Sequence, residues 1–221
     1  MPQLIVAIDG PAGSGKSSVA RLVAGELRLP HLDTGGFYRA ATLIALRAGI
    51  DPADGVAIVD ALEGVEITSR DGLACVDGEI VEAAIRGPEV TAAVSQVSAH
   101  PEVRQMLVAK QRQWVADRGG SAVVEGRDIG TVVFPDTPVK VFLTADDEER
   151  ARRRARERGE DPETHLEAIR RRDAIDGSRE VSPMAVADDA IVIDTTNLMI
   201  GEVVETVVRL AAERGPQVED D

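Results

Sequence analysis

The sequence predicts an α/β fold in three layers, with a parallel central sheet covered by helices on both faces. Short β-branched apolar runs at residues 4–8, 121–125, 139–143 and 190–193 alternate with helix-length amphipathic stretches. A glycine-rich loop follows the first run and opens directly onto a helical pattern. Asp9, Asp33 and Glu125 fall where strands are predicted to end, the edge at which parallel sheets hold their ligands. At 221 residues the chain suits one domain over its whole length, either carrying an insertion or joined by small mobile parts.

Residues 4–8 read as a buried strand closed by Asp9-Gly10-Pro11. Residues 16–29 place Val19, Ala20, Leu22, Val23 and Leu27 at helical spacing, and Pro30 stops that helix. A short strand is predicted at 31–33 and a helix over 37–48, ended by Gly49. Residues 65–68 and 73–76, with turn signals at Asp71-Gly72 and Asp77-Gly78, predict a small antiparallel insert near 64–81. Helices follow over 89–98 and 102–117, with Pro88 and Pro101 at their starts. Charged helices over 146–158 and 162–175 flank a break at Gly159, before a last strand at 190–193 and a last helix at 201–212. The acidic tail from 215 to 221 is expected to fray.

A formal net charge of −14 argues against a nucleic-acid partner, which wants a basic surface, and leaves small anions to local basic pockets. Of 25 basic residues 22 are arginine, so arginine clusters count for less and Lys16 for more; the other lysines are Lys110 and Lys140. Cys75 is the single cysteine, which fits a reducing compartment and reads as a small buried strand residue. No apolar run approaches the roughly eighteen residues of a membrane span, and no charged-then-apolar leader stands before the first motif. The expectation is a cytoplasmic monomer.

Gly10-Pro11-Ala12-Gly13-Ser14-Gly15-Lys16-Ser17 satisfies the phosphate-loop pattern at every fixed position, with Ser18 next on the helix. The glycines let successive backbone N–H groups face a β-phosphate, Lys16 neutralises β/γ oxygens, and the Ser17 hydroxyl faces magnesium. The carboxylate behind the metal is taken first as Asp33, with Glu125 and Asp128 as alternatives. Asp33-Thr34-Gly35-Gly36-Phe37-Tyr38-Arg39 sets a carboxylate, a glycine turn and a helix start that can offer Tyr38 and Arg39 to an anion; the blander alternative is a core Tyr38, a solvated Arg39 and Asp33 as a cap. Glu125-Gly126-Arg127-Asp128 places three charges at the end of a buried strand, for ligand work or for an internal ion pair. Arg150, Arg152, Arg153, Arg154, Arg156, Arg158, Arg170, Arg171, Arg172 and Arg179 crowd thirty residues. Interspersed Glu148, Glu149, Glu157 and Glu160 make part of this a solvated, salt-bridged surface.

The remaining arginines suit a second phosphate. Two like charges 4 Å apart repel by about 4 kcal/mol at an effective dielectric near 20, so bringing a phosphate dianion to a triphosphate needs several cations. An ionised phosphate acceptor also needs no general base, and His31, His100 and His165 do not mark one.

Together these motifs resemble the bacterial cytidylate kinase family of nucleoside monophosphate kinases. The resemblance runs in order through Ile8-Asp9-Gly10-Pro11, Leu32-Asp33-Thr34-Gly35, Tyr38-Arg39, Ser95-Gln96-Val97, Val103-Arg104, Gln111-Arg112, Gly126-Arg127-Asp128, the stretch from Gly130-Thr131-Val132-Val133 to Phe134-Pro135-Asp136, and Arg172-Asp173. It implies a P-loop kinase fold with a parallel sheet, an arginine-rich helical lid at 148–162, and a monophosphate-binding part over 34–118 that contains the insert. It implies transfer of phosphate from magnesium-bound ATP to CMP and dCMP.

By the same resemblance residues 10–18 bind ATP, and Arg39 and Arg127, helped by Arg179, hold the acceptor phosphate. Arg172 and Asp176 reach the sugar, while Ser95, Arg104 and Asp128 read the base. Thr34 and Tyr38 join the substrate set, and Lys16, Arg127, Arg150, Arg153 and Arg154 neutralise the transferring phosphoryl. Chemistry supports the base readers: cytosine shows an amino donor beside acceptors, matching a carboxylate and a guanidinium, whereas uracil would set O4 against Asp128. Arg112 is the second choice of guanidinium. Departures from the family are Gly36 in place of an alanine, Ile175 where an arginine can stand, and extra lid arginines. Rival readings are a kinase for a hydroxylated metabolite and a nucleotide-sensing module without turnover.

Overall fold

The apolar run that follows Gln3 becomes β1 (Ile5–Asp9), a central strand of a five-stranded sheet in the order β2-β6-β1-β7-β8, formed with β2 (His31–Asp33), β6 (Ala122–Gly126), β7 (Val139–Thr144) and β8 (Ile191–Asp194). β1 runs parallel to β6 and β7, and β7 parallel to β8. Val6, Ile8, Val123, Val141 and Leu143 are sealed from solvent, as strands covered on both faces require. They share a core with Val19, Ala20 and Val23 of α1 (Lys16–Leu27) and with Val203, Val204 and Val207 of α9 (Ile200–Arg214). Each such side chain, buried whole, is worth roughly 1.5–3 kcal/mol. The register pairs Ile8 with Glu125 and Asp9 with Gly126, so the carboxylates of Asp9 and Glu125 come to the same end of adjacent strands.

The computed structural model describes residues 3–159, 161–179 and 181–215, and it divides into two compact units. Met1–His31 with Gly120–Asp221 make the first, which also holds α7 (Asp147–Arg158) and α8 (Pro162–Gly177). Leu32–Gly119 make the second, built from α2 (Thr34–Arg47), α3 (Gly55–Leu62), α4 (Glu82–Ile85), α5 (Pro88–Val97) and α6 (Pro101–Ala116). Its three-stranded antiparallel sheet is β3 (Ile67–Arg70), β4 (Leu73–Val76) and β5 (Glu79–Ile80). That sheet is tied to α6 by Trp114, whose Nε1–H donates to the Ser69 carbonyl at 2.9 Å and whose ring lies under the Arg118 guanidinium. Glu160 and the acidic tail beyond residue 215 lie outside the described residues, as do the side chains of Glu157 and Arg158.

The second helix differs from its predicted start. It begins at Thr34, so Gly35 and Gly36 sit inside its first turn and form no separate glycine turn. Extended Asp33 supplies the N-cap position, and a Cβ at Gly36 would stand 3.5 Å from that of Ala74, an ordinary contact that leaves room for the family's alanine. Three helical elements went unpredicted, α3, the single-turn α4 and a π-helical turn over Ile129–Val133, as did the two-residue strand β5. All three helical elements are too short for helical periodicity to register.

No helix among the described residues is long and apolar enough to cross a membrane.

Candidate active site

In the first unit the phosphate loop is fully formed. Gly10 adopts φ 144°, where an added Cβ would run into the Leu143 carbonyl, and Gly13 adopts φ 78°, where one would meet the Arg150 backbone at 2.9 Å. Only glycine fits either place. Gly15 is the N-cap of α1 with no side-chain cap, and the first turn carries no acidic residue, so the leading N–H groups are left for an anion. Buried Ser14 closes the loop by donating its hydroxyl to the Pro11 carbonyl at 3.0 Å, and Lys16 Nζ donates to the same oxygen at 2.7 Å. Enclosure lowers the Lys16 ammonium pKa first, then the nearby Arg127 charge, with Glu125 and Asp9 opposing. A cation held against those penalties is poised for a polyanion.

The Ser17 hydroxyl donates to Glu125 Oε2 at 2.7 Å, and His31 Nε2 lies 3.0 Å from Glu125 Oε1. The carboxylate set against Ser17 is thus Glu125, the alternative choice, while Asp33 pairs with Arg86 at 3.0 Å inside the second unit. A hydroxyl and a carboxylate are hard oxygen donors of the kind magnesium takes.

Behind the loop Arg150 is 4% exposed. Its guanidinium donates to the Ala12 carbonyl at 3.0 Å and pairs with Asp173 and Asp147. Arg153 pairs with Glu149 and reaches Thr195 through both Oγ1 (2.9 Å) and the carbonyl (2.7 Å). Thr195 in turn donates to the Ser14 carbonyl at 3.2 Å. Arg154 is half-buried. Residues from Thr195 to Ile200, with Arg153, Ser18 and Val19, wall a cavity of ≈ 560 Å³ that opens on the loop. Sequence reading missed this wall; its one visible signal was the apolar run Leu198-Met199-Ile200 leading into the last helix, which the structure leaves exposed.

Arg127 donates to the Gly10 carbonyl at 2.6 Å and pairs with Asp176 at 3.1 Å. Arg172 and Arg179 are drawn to the same carboxylate, and Asp176 is 1% exposed. Asp128 is buried and occupies the N-cap position of the π-helical turn without capping it.

In the second unit Thr34, Tyr38 and Arg39 are buried on α2. Arg39 donates to the Ile85 carbonyl at 3.2 Å and to Thr91 Oγ1 at 3.1 Å, a partner that nothing in the sequence marked. Arg104, 2% exposed on α6, stacks 5.0 Å from the Tyr38 ring centroid and donates to the Ser98 carbonyl at 3.1 Å. Ser95 is half-buried on α5, one turn before Ser98. Arg112 is exposed, whereas Gln111, two helical turns from Arg104, shares its buried stripe.

A family model described as cytidylate kinase matches residues 6–213. A cytidylate kinase of Mycobacterium leprae is 51% identical over 99% of this chain and 100% of its own length. That of Rhodococcus opacus is 49% identical over 96% of both chains, and that of Streptomyces avermitilis 48% identical over 97% and 95%. Among solved structures, an uncharacterised protein from Eubacterium ventriosum matches with TM-score 0.53 at 15% identity, covering 96% of this chain and 100% of its own. A sugar kinase from Janibacter sp. HTCC2649 matches with TM-score 0.51 at 18% identity, covering 97% of each. The structural likenesses speak for the α/β fold alone; it is the match of the sequence over nearly its whole length that shows this chain to belong to the cytidylate kinase family.

Proposed function

We propose that this protein transfers the γ-phosphoryl group of magnesium-bound ATP to CMP and dCMP, releasing ADP and CDP or dCDP. One observation carries the reading: in a chain half identical to cytidylate kinases, Arg127 lies hydrogen-bonded to the first residue of the phosphate loop while belonging to a trio of guanidiniums around Asp176. A loop for one polyanion and a cation cluster for a second are what joining two phosphates requires.

An acceptor phosphate oxygen attacks the γ-phosphorus in line, and being already ionised it needs no base. The backbone N–H groups of residues 12–18 and the Lys16 ammonium, within the ATP-binding stretch 10–18, hold the donor phosphates, with Arg150, Arg153 and Arg154 adding charge from the segment 148–162, proposed as a lid. Ser17, with Glu125 behind it, would hold magnesium, which when bound neutralises the β- and γ-oxygens. Arg39, Arg127 and Arg179 are assigned to the acceptor phosphate and Arg172 with Asp176 to the sugar. Thr34, Tyr38, Ser95, Arg104 and Asp128 are assigned to the nucleoside, the last two matching cytosine's acceptor and donor edge. The cavity bounded by Thr195 to Ile200 is assigned to the donor nucleoside.

A coupled assay of ADP release across CMP, dCMP, UMP, AMP and GMP tests the reading. Turnover with CMP and dCMP well above the others is expected; turnover confined to a purine acceptor would overturn it.

A further inference from the structure

β1 ends on Asp9, a buried carboxylate to which the mechanism above gives no part. Its two oxygens are both spent on one short stretch of backbone 120 residues away: Oδ1 accepts the Ile129 N–H and Oδ2 the Gly130 N–H, each at 2.8 Å. These are the first two N–H groups of the π-helical turn over Ile129–Val133, which have no partner inside the turn, and the second of them is one that a residue at the N-cap can satisfy with its own side chain. The residue at that N-cap is Asp128, among the best cap formers, yet its side chain makes no cap hydrogen bond. A Cβ at Gly130 would stand 3.5 Å from Asp9 Oδ2, an ordinary contact, and 3.1 Å from the Lys140 stem, which packs against the same turn. Next to Asp9, the Gly10 carbonyl accepts from Arg127, so the dipeptide Asp9-Gly10 grips both sides of Asp128.

We propose that Asp9 is a positioning residue for base discrimination: by capping the Ile129–Val133 turn from another strand, it holds Asp128 in place and keeps that carboxylate from being spent on the cap. The inference rests on the assignment of Asp128 to the cytosine edge made under the proposed function. Asp9 would then tie selection of the acceptor to the strand that leads into the donor's phosphate loop, without touching either nucleotide.

Asp9→Asn keeps the shape but offers one acceptor where two are needed and turns an N–H₂ on the second backbone N–H. With folding confirmed by circular dichroism and melting, kcat/KM for CMP is expected to fall roughly tenfold or more, while that for UMP and the Kd for ATP each change less than about threefold. The CMP-to-UMP ratio therefore shrinks, which a general loosening of the fold would not cause. Equal losses with CMP and UMP, or ATP binding weakened as much as CMP use, would overturn the inference. Should Asp9→Asn fail to fold, Asp9→Ser, which keeps one acceptor in a smaller side chain, is read by the same ratio. Asp128→Ala in parallel separates the two claims: if it leaves the ratio unchanged, the base assignment itself is wrong and the inference falls with it; if it shrinks the ratio and the Asp9 variants do not, only the inference fails.

Discussion

The hydroxyl of Ser17 and the carboxylate of Glu125, 108 residues apart in sequence, are joined by a hydrogen bond of 2.7 Å. It exists because β6 runs beside β1 with Ile8 opposite Glu125, which brings that side chain to the strand end from which the loop departs. His31 takes the other Glu125 oxygen, so the carboxylate is oriented from both sides.

If this pair holds the metal, Glu125→Gln should raise the magnesium concentration for half-maximal ADP release by roughly 10–100-fold, the usual cost of disturbing a group that supports a metal ligand. The variant keeps the side chain's volume but loses its charge and one of its two acceptor oxygens, so saturating magnesium should restore only part of the rate. A magnesium titration that overlays the wild type would remove Glu125 from the metal's surroundings.

Arg150 and Arg153 were read together from the sequence as phosphoryl-neutralising arginines, but their surroundings separate them. Arg150 is sealed behind the loop with a backbone carbonyl and two carboxylates as partners, whereas Arg153 borders the cavity. Arg150→Met leaves Asp173 and Ala12 without their cation and should cost about 3–5 kcal/mol of stability. In a chain of this size that lowers Tm by on the order of 10 °C. Arg153→Met should lower kcat while leaving Tm within about 2 °C. Thermal melts beside initial rates discriminate the two; equal melting temperatures would refute the division.

Most of the architecture was legible, because alternating β-branched runs and amphipathic stretches carry their own period, and because residues 10–17 fix strand, loop and helix together. What escaped was whatever depends on long-range pairing. No local pattern tells that Asp9 caps a turn at residue 129, or that Glu125 rather than Asp33 answers Ser17. The thirty-residue arginine run shows the limit best. Its spacing suggested partners among Glu148 and Glu149, and Glu149 does pair with Arg152 and Arg153. Packing of α7 on α8 adds Asp173 for Arg150 and Asp147 for Arg170, and Asp176 collects Arg172 and Arg179.

Asp176 therefore acts as an anion among three guanidiniums, and Asp176→Asn tests what that does. Without its charge Arg127, Arg172 and Arg179 repel one another and lose a shared acceptor, which should raise KM for CMP about tenfold or more. The Kd for ATP, whose loop the substitution leaves intact, should move less than about threefold. Unchanged KM would mean the trio is organised by something other than Asp176.

Stability should carry a signature of Asp9. Burial raises its carboxyl pKa from 3.8 to about 6, with the Asp128 charge adding to the rise and the Ile129 and Gly130 N–H groups opposing it. The native state then holds a proton between about pH 4 and 6 that the unfolded chain has released. Stability from this group is present in full below pH 3.8 and is lost as pH climbs through about 6. A shift of about two units corresponds to about 3 kcal/mol. Asp9→Asn cannot titrate, so the urea-derived stability of wild type minus variant should fall by about that amount between pH 4 and pH 7. A difference independent of pH would show that Asp9 ionises in the folded protein as readily as in the unfolded chain.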